Sequence, residues 1–169
     1  MPPPNALQRK QYQIFIDRNT DAVWAFLTNP ENHARICPDD MPEELLSDSN
    51  AELADGSRLV LRVKRSGPVA QIQHTVILEV AEWHPTNGYA LRQVEGPFTA
   101  WINRRKLTPF QGGTLLADQI EYVPPGGPFG ALGIRPFVGT NMDKYYQHRH
   151  NEAKRLLERI GRIKGRDAV

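Results

Sequence analysis

The sequence predicts an α+β domain in which a curved antiparallel sheet is closed on one face by a long C-terminal helix. Three observations predict it. A short strand runs directly into an amphipathic helix near the N-terminus, the stretch from Glu43 to Val123 alternates apolar and polar residues between turn signals, and one long amphipathic helix covers about Gly139 to Ile163. The turns Asp55-Gly56, Ser66-Gly67-Pro68, Pro85-Thr86-Asn87-Gly88, Glu95-Gly96-Pro97 and Gln111-Gly112-Gly113 leave connections far too short for the crossovers that parallel strands require. The sheet is therefore a meander, and a helix laid across its concave face encloses a cavity.

Residues 1–10, with three prolines that cannot donate backbone hydrogen bonds, read as a disordered lead-in. The first strand is expected over Gln11 to Asp17, with Tyr12, Ile14 and Ile16 on one face. Thr20 is positioned as an N-cap, Asp21 suits the positive end of the helix dipole, and Val23, Trp24, Phe26 and Leu27 form an apolar stripe that Pro30 stops. A second short helix follows over Glu31 to Ile36 and ends at Pro38-Asp39-Asp40-Met41-Pro42.

Period-two alternation assigns the faces of the meander. Leu59, Leu61 and Val63 share a face of the third strand; Ile72, His74, Val76, Leu78 and Val80 share one of the fourth. In the sixth strand Trp101, Asn103, Arg105 and Leu107 point one way, and in the seventh Leu116, Asp118, Ile120 and Tyr122 do. The C-terminal helix carries Met142, Tyr146, Arg149, Ala153, Leu156, Leu157, Ile160 and Ile163 on a single stripe expected to pack on the sheet. Before it, the Gly- and Pro-rich run from Pro124 to Phe137 holds Phe129 and Leu132 and reads as a lid over the cavity mouth. The expected organisation is one domain over 11–163 with a frayed basic tail over 164–169.

Composition limits the functions. A chain of 169 residues with 40% hydrophobic and 24% charged content suits one compact globular domain. Its 21 basic and 19 acidic residues nearly cancel, which argues against a strongly cationic nucleic-acid binder. The surplus is local, with eight Lys or Arg against three acidic residues between Asp143 and Arg166, and it reads first as a solvated helix face. Weak contact of this basic end with an anionic membrane stays open; specific RNA recognition is disfavoured because no aromatic residues are interleaved with it. No stretch approaches the roughly 20 apolar residues that span a bilayer, and the N-terminal run lacks the apolar core of a signal peptide. Cys37 has no partner for a disulfide or a paired-thiolate zinc site, which suits a reducing, cytoplasmic compartment.

The cavity-facing residues are the candidate site. His74 and Asp118 are the candidates for proton handling, His74 because imidazole titrates near neutrality. The ligand-binding set is His74, Val76, Leu78, Trp101, Asn103, Arg105, Asp118, Ile120, Tyr122, Phe129, Met142, Tyr146 and Arg149. An Arg105–Asp118 pair, fixing sheet register or orienting a head group, is the expected resolution of two charges facing an apolar interior. No metal or cofactor is expected. His148 and His150 point to opposite sides of a helix, His33, His84 and Cys37 have no motif spacing, and no phosphate loop or nucleophile elbow is present.

The opening strand, the Ala22-Val23-Trp24-Ala25-Phe26-Leu27 helix followed by Asn29-Pro30-Glu31-Asn32, the Gly96-Pro97-Phe98 turn before Trp101, the Gly113-to-Asp118 strand, Glu121-Tyr122 and the Pro125-Gly126-Gly127-Pro128 loop resemble the START/Bet v 1-like (SRPBCC) superfamily, nearest its bacterial polyketide cyclase/dehydrase-like branch. The resemblance spans Tyr12 to Ile160. It implies a helix-grip fold, with the sheet wrapped around the C-terminal helix and two short helices completing a hydrophobic pocket for lipid, polyketide or aromatic molecules. The chain departs from that pattern at Asn103 and Arg105, where such relatives often carry His. The expected function is binding of a small hydrophobic ligand as carrier or sensor; the alternatives are a cyclase, dehydratase or hydrolase using the same cavity, and a toxin-like or quinone-chaperone relative whose partner is a macromolecule.

Overall fold

The structure, a computed structural model, describes residues 7–66, 71–124 and 135–166. Strand β1 (Gln8–Ile16) is followed by helices α1 (Thr20–Leu27) and α2 (Pro30–Arg35), then by β2 (Glu43–Leu45), β3 (Arg58–Ser66), β4 (Gln71–His84), β5 (Gly88–Glu95), β6 (Ala100–Phe110) and β7 (Gly113–Val123). Helix α3 (Arg135–Arg166) closes the described chain. The seven strands form one curved antiparallel sheet in the order β1-β7-β6-β5-β4-β3-β2, a meander whose first strand returns to pair with its last. Two register shifts interrupt the β4–β5 pairing: one leaves Val94 as an extra residue on β5, and the other, beside Glu82 at φ 50°, adds a residue to β4 and bends it.

Strand β1 begins at Gln8, earlier than the disordered lead-in allowed. Gln8, Arg9 and Lys10 pair with Tyr122, Glu121 and Ile120. Side chains hold this pairing: Arg9 Nε donates to Glu121 Oε1 at 2.8 Å and the Tyr122 hydroxyl donates to Gln8 Oε1 at 2.8 Å. Residues 1–6 lie outside the described chain.

The cap of α1 falls one residue before the expected Thr20. Asn19 keeps extended backbone while its Oδ1 accepts from Ala22 N at 2.9 Å, and Thr20 is the first helical residue. Pro30 does more than stop a helix: α1 has already ended at Leu27, and Pro30 opens α2 at a position where its missing N–H has no helical partner to lose. At the β5–β6 hairpin, Gly88 lies against its neighbour's backbone. A Cβ there would sit 2.1 Å from the Arg105 carbonyl oxygen, so only glycine lets the two strands close around Arg105.

Among the described residues the interior divides into three groups. Ile16, Val23, Phe26, Leu27, Ile36, Leu107, Leu116, Ala153, Leu156 and Leu157 join α1, the β1–β7–β6 side of the sheet and the later turns of α3. Leu53, Leu59, Leu61, Val63, Leu78, Val80, Tyr89 and Leu91 cover the β3–β4–β5 side. Ile120, Tyr122, Met142 and Tyr146 sit between β7 and the earlier turns of α3, with Tyr12, Phe98, Trp101 and Tyr145 packed around them half-buried.

Helix α3 runs to Arg166, past the expected fraying point, and its apolar stripe outlasts its packing. Ile160 and Ile163, expected against the sheet, are 40% and 53% exposed. At that level Arg18 takes the place of the sheet: its guanidinium donates to the Leu157 carbonyl at 2.9 Å and lies over Gly161. Residues 167–169 lie outside the described chain.

Candidate functional site

The inward faces of β6 and β7 are set by their turn. Gln111 and Gly112, both at positive φ, form a two-residue hairpin that pairs Phe110 with Gly113, so that Arg105 falls opposite Asp118 and Asn103 opposite Ile120. Asp118 is 0% exposed and uses both carboxylate oxygens. Oδ1 accepts from Asn103 Nδ2 at 2.9 Å and from Arg105 Nε at 2.8 Å; Oδ2 receives Arg105 Nη2 at 3.3 Å and lies 2.6 Å from His150 Nε2. Burial alone would raise the Asp118 pKa, but Arg105 and His150 outweigh it and hold the carboxyl well below the usual carboxylate range. An ionised carboxylate only accepts, so His150 carries its proton on Nε2.

The network continues to the other side of the sheet. Arg105 Nη1 donates to the Tyr89 hydroxyl at 3.1 Å, and that hydroxyl donates to the Leu27 carbonyl at 3.0 Å, at the last residue of α1. Arg105 remains charged against the cost of burial because Asp118 and Tyr89 stabilise the cation.

A second buried polar cluster lies where α3 passes α2 and β2. Arg149 Nη1 donates to the His33 carbonyl at 2.8 Å, to Cys37 Sγ at 3.0 Å and to the Tyr145 hydroxyl at 3.0 Å. Its Nη2 lies 3.2 Å from His33 Nδ1. A guanidinium cannot accept, so His33 Nδ1 is the acceptor and the neutral ring carries its proton on Nε2, facing Glu43 Oε2 at 3.3 Å. Tyr145 donates to the other Glu43 oxygen at 2.8 Å. Burial, and then the neighbouring Arg149, push the His33 pKa down to about 4, Glu43 opposing them. Burial likewise pushes the Cys37 thiol up to about 12 despite Arg149, which leaves it protonated and a poor nucleophile.

The two clusters occupy successive positions of one helix. Tyr145 and Tyr146 lie a turn before Arg149 and His150, so one edge of the stripe serves Glu43 and His33 and the other serves Asp118. Tyr146 stacks on Tyr12, ring centroids 5.0 Å apart and nearly parallel, and meets Tyr145 edge-on. Phe98 meets Tyr122 edge-on at 5.7 Å.

The residues singled out from sequence are distributed as follows. Asn103, Arg105 and Asp118 are bonded together; Ile120, Tyr122, Met142 and Tyr146 form one apolar group with Trp101 packed against it. Val76 and Leu78 belong to the β3–β4–β5 group, and His74 is half-buried on the same face, opposite Val63. Arg149 directs Nη1 and Nη2 at protein groups in the second cluster. Phe129 and most of the lid, residues 125–134, lie outside the described chain. His150, Tyr89, His33, Cys37, Glu43 and Tyr145 are additions that the sequence reading did not select. Only His150 had a legible signal, since it falls four residues after Tyr146 and three before Ala153, on the inward stripe.

Two surface clefts lie elsewhere. One, of about 340 Å³, is lined by Asp17, Arg18, Glu158, Gly161 and Arg162; the other, of about 250 Å³, by Asn29, Pro30, Glu31, Ser49, Asn50 and Glu52. Neither is lined by a residue of the Asp118 cluster. Among the described residues no group of His, Cys, Asp and Glu is arranged to hold a metal, and no helix is long and apolar enough to cross a membrane.

No protein-family model matches the sequence, and no curated protein matches it. Solved structures do. The aromatase/cyclase Zhui from Streptomyces sp. R1128 is similar at TM-score 0.70 and 16% identity, over 91% of this chain and 95% of that one. A norcoclaurine synthase point mutant from Thalictrum flavum, in complex with a transition-state analogue, is similar at 0.64 and 12%, over 93% and 98%. TTHA0849 from Thermus thermophilus is similar at 0.66 and 15%, over 90% and 99%. Identities this low speak to architecture alone, and the architecture is unambiguous: the chain has the START/Bet v 1-like helix-grip fold.

Proposed function

We propose that the protein binds a small hydrophobic molecule of lipid, polyketide or aromatic type between the inner face of the sheet and α3, as a carrier or sensor. The observation that carries this reading is the unequal packing around Tyr146. Tyr12, Phe98, Trp101 and Tyr145 are only half-buried there, immediately beside a fully buried charged cluster. Flat rings left partly uncovered beside a few fixed polar groups are the ordinary lining of a ligand site. Fold-sharing proteins named as an aromatase/cyclase and as a norcoclaurine synthase in complex with a transition-state analogue support a small-molecule role for a fold of this kind. Covering ~300 Å² of apolar ligand at ~25 cal/mol/Å² would contribute ~7 kcal/mol, enough for micromolar binding before ordering costs.

A second reading has its own observation. His150 is oriented through Nε2 by a buried carboxylate, the relation that fixes the tautomer of a general base. The enzyme alternative therefore rests on His150 more than on Asp118, whose carboxylate is ionised and fully bonded, or on His74. Native mass spectrometry of protein purified from its own host, followed by extraction and identification of any passenger, tests the binding reading. A stoichiometric apolar passenger supports it. An empty protein that also fails to bind neutral aromatic probes overturns it, and turnover lost in His150→Gln with the passenger still bound would favour the enzyme.

A further inference from the structure

The Asp118 cluster leaves one polar atom over. Asn103 is 2% exposed, and its Oδ1 has no hydrogen-bond partner among the described residues. The amide cannot turn round to cure this. Its Nδ2 is held by Asp118 Oδ1 at 2.9 Å, and a flip would set oxygen against an ionised carboxylate while leaving the NH₂ group unbonded in its turn. A buried acceptor without a donor is an exception in native interiors and costs stability, so its retention calls for a reason.

Asn103 lies on the inward face of β6 between Trp101 and Arg105, with Ile120 opposite it on β7. Trp101, two residues before Asn103 on that face, is half-buried and packs against both the Tyr146 group and the β3–β4–β5 group. We infer that Asn103 Oδ1 is the specificity-determining acceptor of this site and that the ligand it selects presents a neutral hydrogen-bond donor, a hydroxyl or N–H on an apolar body, and not a carboxylate. The inference rests on the binding reading above and specifies the polar end of its ligand.

The charges around the amide point the same way. Asp118 is negative and bonded directly to Asn103, while Arg105 turns Nε, Nη1 and Nη2 toward Asp118 and Tyr89 and His150 turns Nε2 toward Asp118. The Arg105 charge is thus already paired with Asp118, and the atom left without a partner is an acceptor beside a carboxylate. A donor group completes the amide's bonding; a carboxylate would meet two acceptors and lose its hydration.

Four probes that share one naphthalene ring system separate the cases: 2-naphthol, 2-methoxynaphthalene, naphthalene and 2-naphthoate, each measured by displacement of N-phenyl-1-naphthylamine from the full chain. The expected order places 2-naphthol about tenfold tighter than 2-methoxynaphthalene and naphthalene, with 2-naphthoate weakest. Asn103→Leu, close in volume, should erase the naphthol advantage while naphthalene binds as before, with circular dichroism confirming the fold. Equal affinities of naphthol and methoxynaphthalene for the unaltered chain would overturn the inference without touching the binding reading, as would tighter binding of naphthoate. Failure of every probe, N-phenyl-1-naphthylamine included, would instead remove the binding reading and the inference with it. The probe series on the unaltered chain decides the matter even if the Leu variant does not fold.

Discussion

The two ends of α3 meet the same sheet with different chemistry. Around Ala153, Leu156 and Leu157 the helix packs aliphatic side chains against Ile16, Val23, Phe26, Leu27 and Leu116, all buried. One to three turns earlier, Tyr146, Arg149 and His150 face Asp118, Glu43, His33 and a set of half-covered rings. Aliphatic packing gains on every contact and needs no exact partner. A buried ion costs several kcal/mol of desolvation that its partners do little more than recover, so the second region holds its charges at no profit to stability. The contrast separates the part of the grip that holds the fold from the part that is arranged for something else.

Breaking the polar end should have the largest effect. Asp118→Ala strands Arg105 and Asn103 in the interior and is expected to cost about 3–5 kcal/mol, measured by urea unfolding. Replacing the pair together, Asp118→Leu with Arg105→Met, should recover most of that loss, because no uncompensated charge remains. A double variant as unstable as the single one would mean that the network carries net stability and would erase the contrast.

Leu156→Ala at the aliphatic end should cost about 2–4 kcal/mol through lost burial and the hole left behind. Probe affinity, measured where the variant is fully folded, should stay within twofold of the unaltered chain. A large change in affinity would show that the two ends are not separable.

Acid separates the clusters by pH. His33 has its pKa lowered to about 4, so between its ordinary value near 6.5 and about 4 the unfolded chain binds a proton that the native protein does not. Stability therefore falls as pH drops through that window, by about 3 kcal/mol, with no further loss from this group below it. Arg149 and, more weakly, Arg105 oppose protonation of His33, and Glu43 favours it. Asp118 acts lower: its carboxyl is also depressed, so its contribution is complete above the ordinary carboxylate value of 3.8 and is lost only as pH falls beneath that. His33→Gln should flatten the upper step in pH-dependent unfolding and leave the lower one. An unchanged upper step would place its origin elsewhere.

How much of this could be read from the sequence follows from how local each feature is. The inward faces of β3, β4, β6 and β7 follow from period two, and the Arg105–Asp118 pairing from a two-residue turn that fixes register between adjacent strands. The Glu43–His33–Arg149 cluster draws on β2, α2 and α3, with His33 and Arg149 116 positions apart, and no spacing rule connects them. Asn103 was visible as an inward-facing amide, but its unbonded oxygen depends on which way Asp118 turns it, a fact of three dimensions. The cap of α1 missed by one residue because Asn19 and Thr20 are both good caps, and only backbone geometry chooses between them.

The smallest effect is expected at the point where periodicity misled. Ile163 continues the stripe of Leu156 and Ile160 at helical spacing, and by pattern alone belongs to the core. It is 53% exposed because helix periodicity extends as far as the helix does, whereas burial stops where the sheet stops and Arg18 takes over. Ile163→Ser should therefore change unfolding free energy by no more than about 0.5 kcal/mol, while Leu157→Ser, six residues earlier and buried, should cost several times that. A loss at Ile163 as large as at Leu157 would mean that this face of the helix is covered in solution, and the boundary between the packed and unpacked turns of α3 would have to move.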